Sequence, residues 1–207
     1  FISDADFQFV KSGDDLARAY DLILFEGHEE YVGAHQFDVI ERYRDLGGNL
    51  MFLSANNFFW RVTKQGSVLR RAGTWRAAGR PEARLLGIQY RANDDGQKQG
   101  MYVVVNSAAV PWLWAGTGLV DGSTFGQAVG GYGIEIDSTS PESPPGTVIV
   151  AGIPHLFGQN ISAEMSYYET PAGAKVFAAG TLDFGGSATY APMSRILDNL
   201  WARLSAP

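Results

Sequence analysis

The 207-residue sequence contains no cysteine, so disulfides, thiolate-bound zinc and a cysteine nucleophile are all excluded. Either redox compartment tolerates that absence, which leaves the localisation open. Histidine is scarce as well: His28, His35 and His155 are the whole supply of imidazole for acid–base or metal chemistry. No apolar run approaches the roughly 20 residues that a membrane-crossing helix needs, and "MYVVV" and "AAVPWLWAG" are short or broken by proline. Cations are outnumbered, 16 Lys and Arg against 22 Asp and Glu, giving a net charge of −6. That balance argues against a surface that tracks a nucleic-acid backbone. The sequence starts at Phe1 and shows no charged segment followed by an apolar one, so any leader is expected to have been removed or never recorded.

What the chain does have is enough apolar material for a core, 45% hydrophobic and 13% aromatic, and the expectation is one domain over 1–207, either whole or cut from a longer chain. "YDLILF" (20–25) is a continuous apolar run suited to a strand buried on both faces. From Ala34 to Leu46, Phe37, Ile40, Tyr43 and Leu46 recur at helical spacing, and Gly47 and Gly48 supply the stop. "NLMFLS" reads as a second strand. Strand, helix and strand in this space make a βαβ unit with parallel strands. Ligands of open α/β sheets gather at the carboxyl ends of the strands. The loops "EGHEEYVG" and "SANNFFWR" leave two such ends, which predicts that His28, Glu30 and Tyr31 approach Asn56 and Asn57.

Further along, Arg61 to Arg91 carries eight cations and one carboxylate, Glu82, in loop-like chemistry. It reads as a basic flap over an anionic ligand, or as a solvated excursion whose arginines pair with acids elsewhere. "LLGIQY", "MYVVVN", "GYGIEID" and "TVIVAG" read as strands, "EMSYYETPAGAKVFAAGTL" as a hairpin, and "APMSRILDNLWARL" as an amphipathic helix capped at or just before Ser194.

Three site chemistries compete. "HEEYV" begins like the zinc motif H-E-x-x-H, but position 32 is Val, so the second imidazole is missing. Ser54 follows a strand as a nucleophile would, with His28 as a conceivable base, but "FLSANNF" lacks the glycines of a nucleophile elbow. Glu, Tyr and His together suit a hard metal ion, whereas the plainer reading puts Glu29 and Glu30 at a helix start. Asn160-Ile161-Ser162 matches a glycosylation sequon.

Taken in order, "YDLILFEGHEEYV", "YRDLGGNLMFLSANNFFWRV", "GRPEARLLGIQY", "GYGIEID" and "YYETPAGAKVFAAGT", with the final helix, resemble the carboxyl-terminal domain of the N,N-dimethylformamidase large (beta) subunit and its relatives. The likeness spans nearly the whole chain. It implies an α/β fold: a three-layer, flavodoxin-like, mainly parallel sheet similar to class I glutamine amidotransferases, with helices on both faces and a C-terminal β-hairpin plus helix. For function it implies hydrolysis of a linear amide by an iron ion held on tyrosine phenolates and a glutamate, acting as Lewis acid. His28, Glu30 and Tyr31 match the family's His-Pro-Glu-Tyr string, with Glu29 replacing the proline, and Glu135 matches the metal carboxylate. Two departures stand out. Phe59 occupies the place of a tyrosine and cannot ligate iron, and Gly133 stands where a histidine is expected.

The site expected on these grounds has His28, Glu30 and Glu135 as catalytic groups, and Ser54, Asn56, Asn57 and Trp60 as substrate contacts, Asn56 orienting the carbonyl. Tyr31 and Glu135 would bind any metal. The expected partner is a small polar substrate, together with further domains or subunits of a larger protein. The rival is a non-catalytic binding or scaffold domain, with aromatics around "VPWLWAG" stacking on a ligand such as a sugar.

Overall fold

A computed structural model describes residues 2–66 and 68–206. In chain order the helices are α1 (Asp4–Phe7), α2 (Gly13–Ala19), α3 (Ala34–Asp45), α4 (Ala83–Leu86) and α5 (Met193–Leu204). The strands are β1 (Leu22–Phe25), β2 (Tyr31–Gly33), β3 (Asn49–Phe52), β4 (Trp60–Gln65), β5 (Val68–Thr74), β6 (Gln89–Asn93), β7 (Gln99–Gly100), β8 (Tyr102–Val104), β9 (Thr124–Phe125), β10 (Tyr132–Gly133), β11 (Glu135–Ser138), β12 (Val148–Ile153), β13 (Ala163–Glu169) and β14 (Lys175–Ala178).

The principal sheet runs β1-β3-β14-β13-β12-β8-β9. Only β1-β3-β14 is parallel, and every other pairing in the sheet is antiparallel. This overturns the expected mainly parallel, flavodoxin-like three-layer fold: the sheet is mixed, helices are few, and only α3 and α5 reach 12 residues. The βαβ unit itself exists, with β1 beside β3 in the register Leu22↔Asn49 to Phe25↔Phe52. The expected hairpin is β13–β14, paired from Ser166↔Ala178 to Glu169↔Lys175.

Alternation along the strands divides the core into two clusters, because successive side chains point to opposite faces. Met51 and Phe177 join the Ile196, Leu200 and Leu204 face of α5 on one side. Leu50, Phe52, Val176 and Ala178 join Phe37, Ile40 and Tyr43 of α3 on the other. Each Val, Leu, Ile, Phe or Met among them contributes roughly 1.5–3 kcal/mol when fully buried. α3 stops because Gly47 adopts φ +100, where a Cβ would be strained. α5 has no side-chain cap: Pro192 precedes it, not Ser194.

Two assignments shift. The leucines of "LLGIQY" form α4, a single helical turn, and the strand starts only at Gln89. The basic segment is an antiparallel hairpin, β4–β5, joined to β2 in a small separate sheet.

Candidate functional site

Phe25, Phe52 and Ala178 end three neighbouring parallel strands, so the segments that follow them emerge side by side. The Leu53 amide donates to Phe25 O, and Ala179 donates to Phe52 O, at 2.9 Å each. β11 is tied to the third segment by Asp137 N donating to Gly180 O and Leu182 N donating to Glu135 O, both at 3.0 Å. Glu135 is therefore delivered to the same sheet end as residues 26–30 and 53–58.

The second of these segments is a strained turn. Asn56 and Phe58 have φ of 54° and 59°, a region that costs non-glycine residues about 1–3 kcal/mol each. Burial offsets the strain. Phe58 is fully buried, edge-on to Phe25, Phe37 and Phe52 at 5.5–6.0 Å. Asn57 pins the turn from inside: its Nδ2 donates to Ser54 O, and its Oδ1 accepts from Glu29 N, both at 2.9 Å.

Above this turn four polar groups meet. Asn56 Nδ2 donates to Glu30 Oε1 at 2.9 Å and to Glu135 Oε2 at 2.8 Å. His28 Nε2 lies 3.5 Å from Glu135 Oε2 and 3.9 Å from Glu30 Oε2. The side chains remain 28% (His28), 16% (Glu30) and 18% (Glu135) exposed, so reagents can reach them. Only one orientation of the Asn56 carboxamide works here, since its oxygen would repel both carboxylates.

Asp137 completes the floor. Its Oδ1 accepts from Asn56 N at 2.9 Å, and burial pushes its carboxyl up to about 8. Its Oδ2 and Asn56 Oδ1 are buried without a partner among the described residues.

Aromatic rings form the wall. Phe59 packs against Trp60 at 4.8 Å and Tyr90 at 5.0 Å, and the Arg71 guanidinium lies 4.7 Å from the Trp60 ring centre. The Tyr31 phenol is raised above its usual range, first by its hydrogen bond to Glu30 and then by desolvation. Tyr90 is raised by burial and then by the charge of Glu135. Beneath Phe59, Arg76 sits 5.2 Å from the ring centre and pairs with the fully buried Glu82. Two shallow clefts, lined by residues such as Phe9, Leu16 and Tyr20 or Asp21, Gly47 and Lys175, lie at the opposite end of the sheet.

Of the residues singled out from sequence, His28, Glu30, Asn56 and Glu135 converge, with Tyr31 beside them at the rim. Ser54 does not join them: it is buried and its Oγ donates to Leu182 O at 2.8 Å. Asn57 is spent on the turn, and Trp60 stands in the wall. Asn56 cannot orient a carbonyl while both its amide hydrogens are held by carboxylates. Sequence reading gave no role to Asp137, Tyr90 and Arg76. The parity of Glu135 and Asp137 on one strand was the available signal for Asp137. In "VPWLWAG", Trp114 is buried, and Trp112 packs on Tyr167 at 5.1 Å under Arg203, so neither offers a bare stacking platform.

A mixed sheet whose strand ends present two carboxylates, an imidazole and an amide defines a class, a rigid β framework carrying a polar site on its loops. The family follows from comparison. Residues 1–194 match the family described as N,N-dimethylformamidase beta subunit-like, C-terminal, and the chain belongs to that family. Two curated relatives are the N,N-dimethylformamidase beta subunits of Paracoccus aminophilus and Alcaligenes sp, each 23% identical over 87% and 86% of this chain. The matched region is 31% and 30% of those proteins, so the chain spans about a third of their length. Among solved structures, a beta-galactosidase from Rahnella sp. R3 superposes with a TM-score of 0.51 and 13% identity, over 91% of this chain and 23% of that one. That likeness concerns fold alone, and it points away from the flavodoxin-like expectation.

Proposed function

We propose that this domain hydrolyses a non-peptide C–N bond of a small linear amide, using Glu135 and His28 and not the iron that the family resemblance implies. The single observation carrying the reading is that His28 Nε2 stands 3.5 Å from Glu135 and 3.9 Å from Glu30 at an accessible strand end.

The residues present do not fit the iron. Phe59 offers no phenolate and is packed between Trp60 and Tyr90. Position 133 cannot regain a histidine, because a Cβ there would lie 2.5 Å from Lys98 O. The two carboxylates that remain are bridged by Asn56 Nδ2, which stands where a shared cation would have to be. The two ligands expected from sequence, Tyr31 and Glu135, are by themselves a poor set for iron.

In the proposed reaction, Glu135 takes a proton from water as the water oxygen attacks the amide carbon. His28, held against Glu30, donates a proton to the leaving nitrogen as the C–N bond breaks. Glu135 then returns its proton to His28 across their 3.5 Å separation, closing the cycle. Asn56 keeps the two carboxylates apart and aimed.

The test is amine release from a panel of small amides, N,N-dimethylformamide included, with metal content measured on the same preparation. The expected result is turnover that survives chelation and is lost in Glu135→Gln and His28→Gln. Stoichiometric iron whose removal abolishes activity would overturn the metal-free mechanism. Absence of turnover on every amide would leave the domain as a non-catalytic binding module.

A further inference from the structure

The cations of the basic segment, Arg61 to Arg91, are unevenly used. Arg76, Arg80 and Arg84, beyond the hairpin, form ion pairs with Glu82, with Asp38 and Glu41, and with Glu142. Within the hairpin, Trp60 to Thr74 carries Arg61, Lys64, Arg70 and Arg71 and no acid. Among the described residues no carboxylate forms an ion pair with any of these four.

Arg71 is distinguished by its position. The β4–β5 register shifts between Trp60 and Val62, and Arg71 stands opposite Val62. Such irregularities re-aim side chains. Here the Arg71 guanidinium lies over Trp60, whose backbone is paired with Tyr31 of β2. The charge of Arg71 is felt by the Tyr31 phenol, which also feels Glu30 and Glu135. The guanidinium therefore stands at the aromatic rim of the carboxylate cluster, held by the ring face, and among the described residues its N–H edge pairs with no carboxylate, which suits it to a planar anion.

We propose that Arg71 is a specificity residue and that the substrate is an amide carrying a carboxylate at its far end. This inference rests on the amidase reading of the same site. Glu30 and Glu135 repel an anion from the floor, so the substrate's charge is driven to the rim and its amide enters first. The rings of Trp60, Phe59 and Tyr90, spaced 4.8 and 5.0 Å apart, supply the apolar path between the two ends.

The test compares N-formyl-β-alanine with its uncharged isostere N-isopentylformamide, measuring kcat/KM for hydrolysis and Kd by calorimetry. Wild-type protein should favour the carboxylate by about three- to fivefold, the scale of one exposed ion pair, and added salt should shrink the ratio. Arg71→Gln should bring the ratio to one, and Arg71→Lys, which keeps the charge, should retain most of it. A wild-type ratio of one, a ratio unchanged in Arg71→Gln, or no binding of either compound overturns the proposal. A binding ratio without turnover sustains it while defeating the hydrolase reading, and turnover of both compounds at equal efficiency does the reverse.

Discussion

Two carboxylate sites flank the buried Asp137, and they are neutralised in opposite ways. Glu82 is fully buried and grips a guanidinium, with Arg76 Nε 2.9 Å from its Oε1. Glu30 and Glu135 have a neutral amide, the Tyr31 phenol and one imidazole, and they remain partly open to solvent. The first arrangement leaves no charge to offer a ligand. In the second, two carboxylates face each other with no guanidinium or ammonium paired to them among the described residues, an arrangement that stability alone does not favour and that a reaction can use. Burial holds the Glu82 carboxyl above its usual range even against the lowering effect of Arg76.

The largest loss is expected at Arg76. Arg76→Met strands Glu82 in the core, and the expected loss is about 3–5 kcal/mol of unfolding free energy, read by denaturant titration. Because the Glu82 pKa is raised on folding, the stability linked to it is complete below its unfolded value of 4.5 and is lost as pH rises through the folded value. The variant's deficit should accordingly be smaller at acid pH, where a protonated Glu82 needs no partner. Next comes Asn56→Asp. Aspartate tolerates the left-handed turn, so the change isolates electrostatics: two hydrogen bonds to charges are replaced by a third carboxylate, at an expected cost of about 2–3 kcal/mol. Glu135→Gln should do the reverse. It removes one of two facing charges and keeps an acceptor for Asn56, so stability should stay within about 1 kcal/mol of wild type. Under the proposed mechanism, amide turnover should fall roughly 10²–10⁴-fold. A large destabilisation in Glu135→Gln would make the cluster structural, like Glu82.

The same contrast marks what could be read in the sequence. β1, α3 and β3 were legible because a fully buried strand needs a continuous apolar run and a half-buried helix a three-to-four-residue stripe. Direction was not. "TVIVAG" of β12 is apolar because both faces are covered, and that pattern is the same whether β8 and β13 run with it or against it. The mainly parallel sheet was what the family resemblance implied, and the one real βαβ unit agrees with it only over β1 and β3. The β4–β5 hairpin escaped notice because Lys64, Gln65, Val68, Leu69, Arg70 and Arg71 are all exposed, so no alternation of burial was imprinted on them. The approach of residues 26–32 to 54–60 followed from neighbouring strand ends. The bridge from Asn56 to Glu135 did not, since β11 is tied to the sheet end by backbone bonds to residues 180–182, far from it in sequence.

A third carboxylate lies on the exposed side of the molecule. Glu169, at the end of β13, accepts a hydrogen bond from the Tyr167 hydroxyl and lies 3.1 Å from Arg203 of α5. Its side chain is 46% exposed, so water competes with both partners. The hydrogen bond from Tyr167, then Arg203, holds its carboxyl below the usual range, the opposite direction to Glu82. The linkage also reverses. A depressed folded pKa contributes stability that is present above the unfolded value of 4.5 and is lost as pH falls through the folded one. Glu169→Gln should therefore cost only about 0.5 kcal/mol at neutral pH, a difference that vanishes in acid. Thermal unfolding of Glu169→Gln and Arg76→Met at pH 3 and pH 7 would measure both. Each deficit should shrink at pH 3, Glu169→Gln because wild type loses an interaction and Arg76→Met because the variant sheds a buried charge. Equal and large costs at pH 7 would mean that depth in the fold does not decide how a carboxylate is used here.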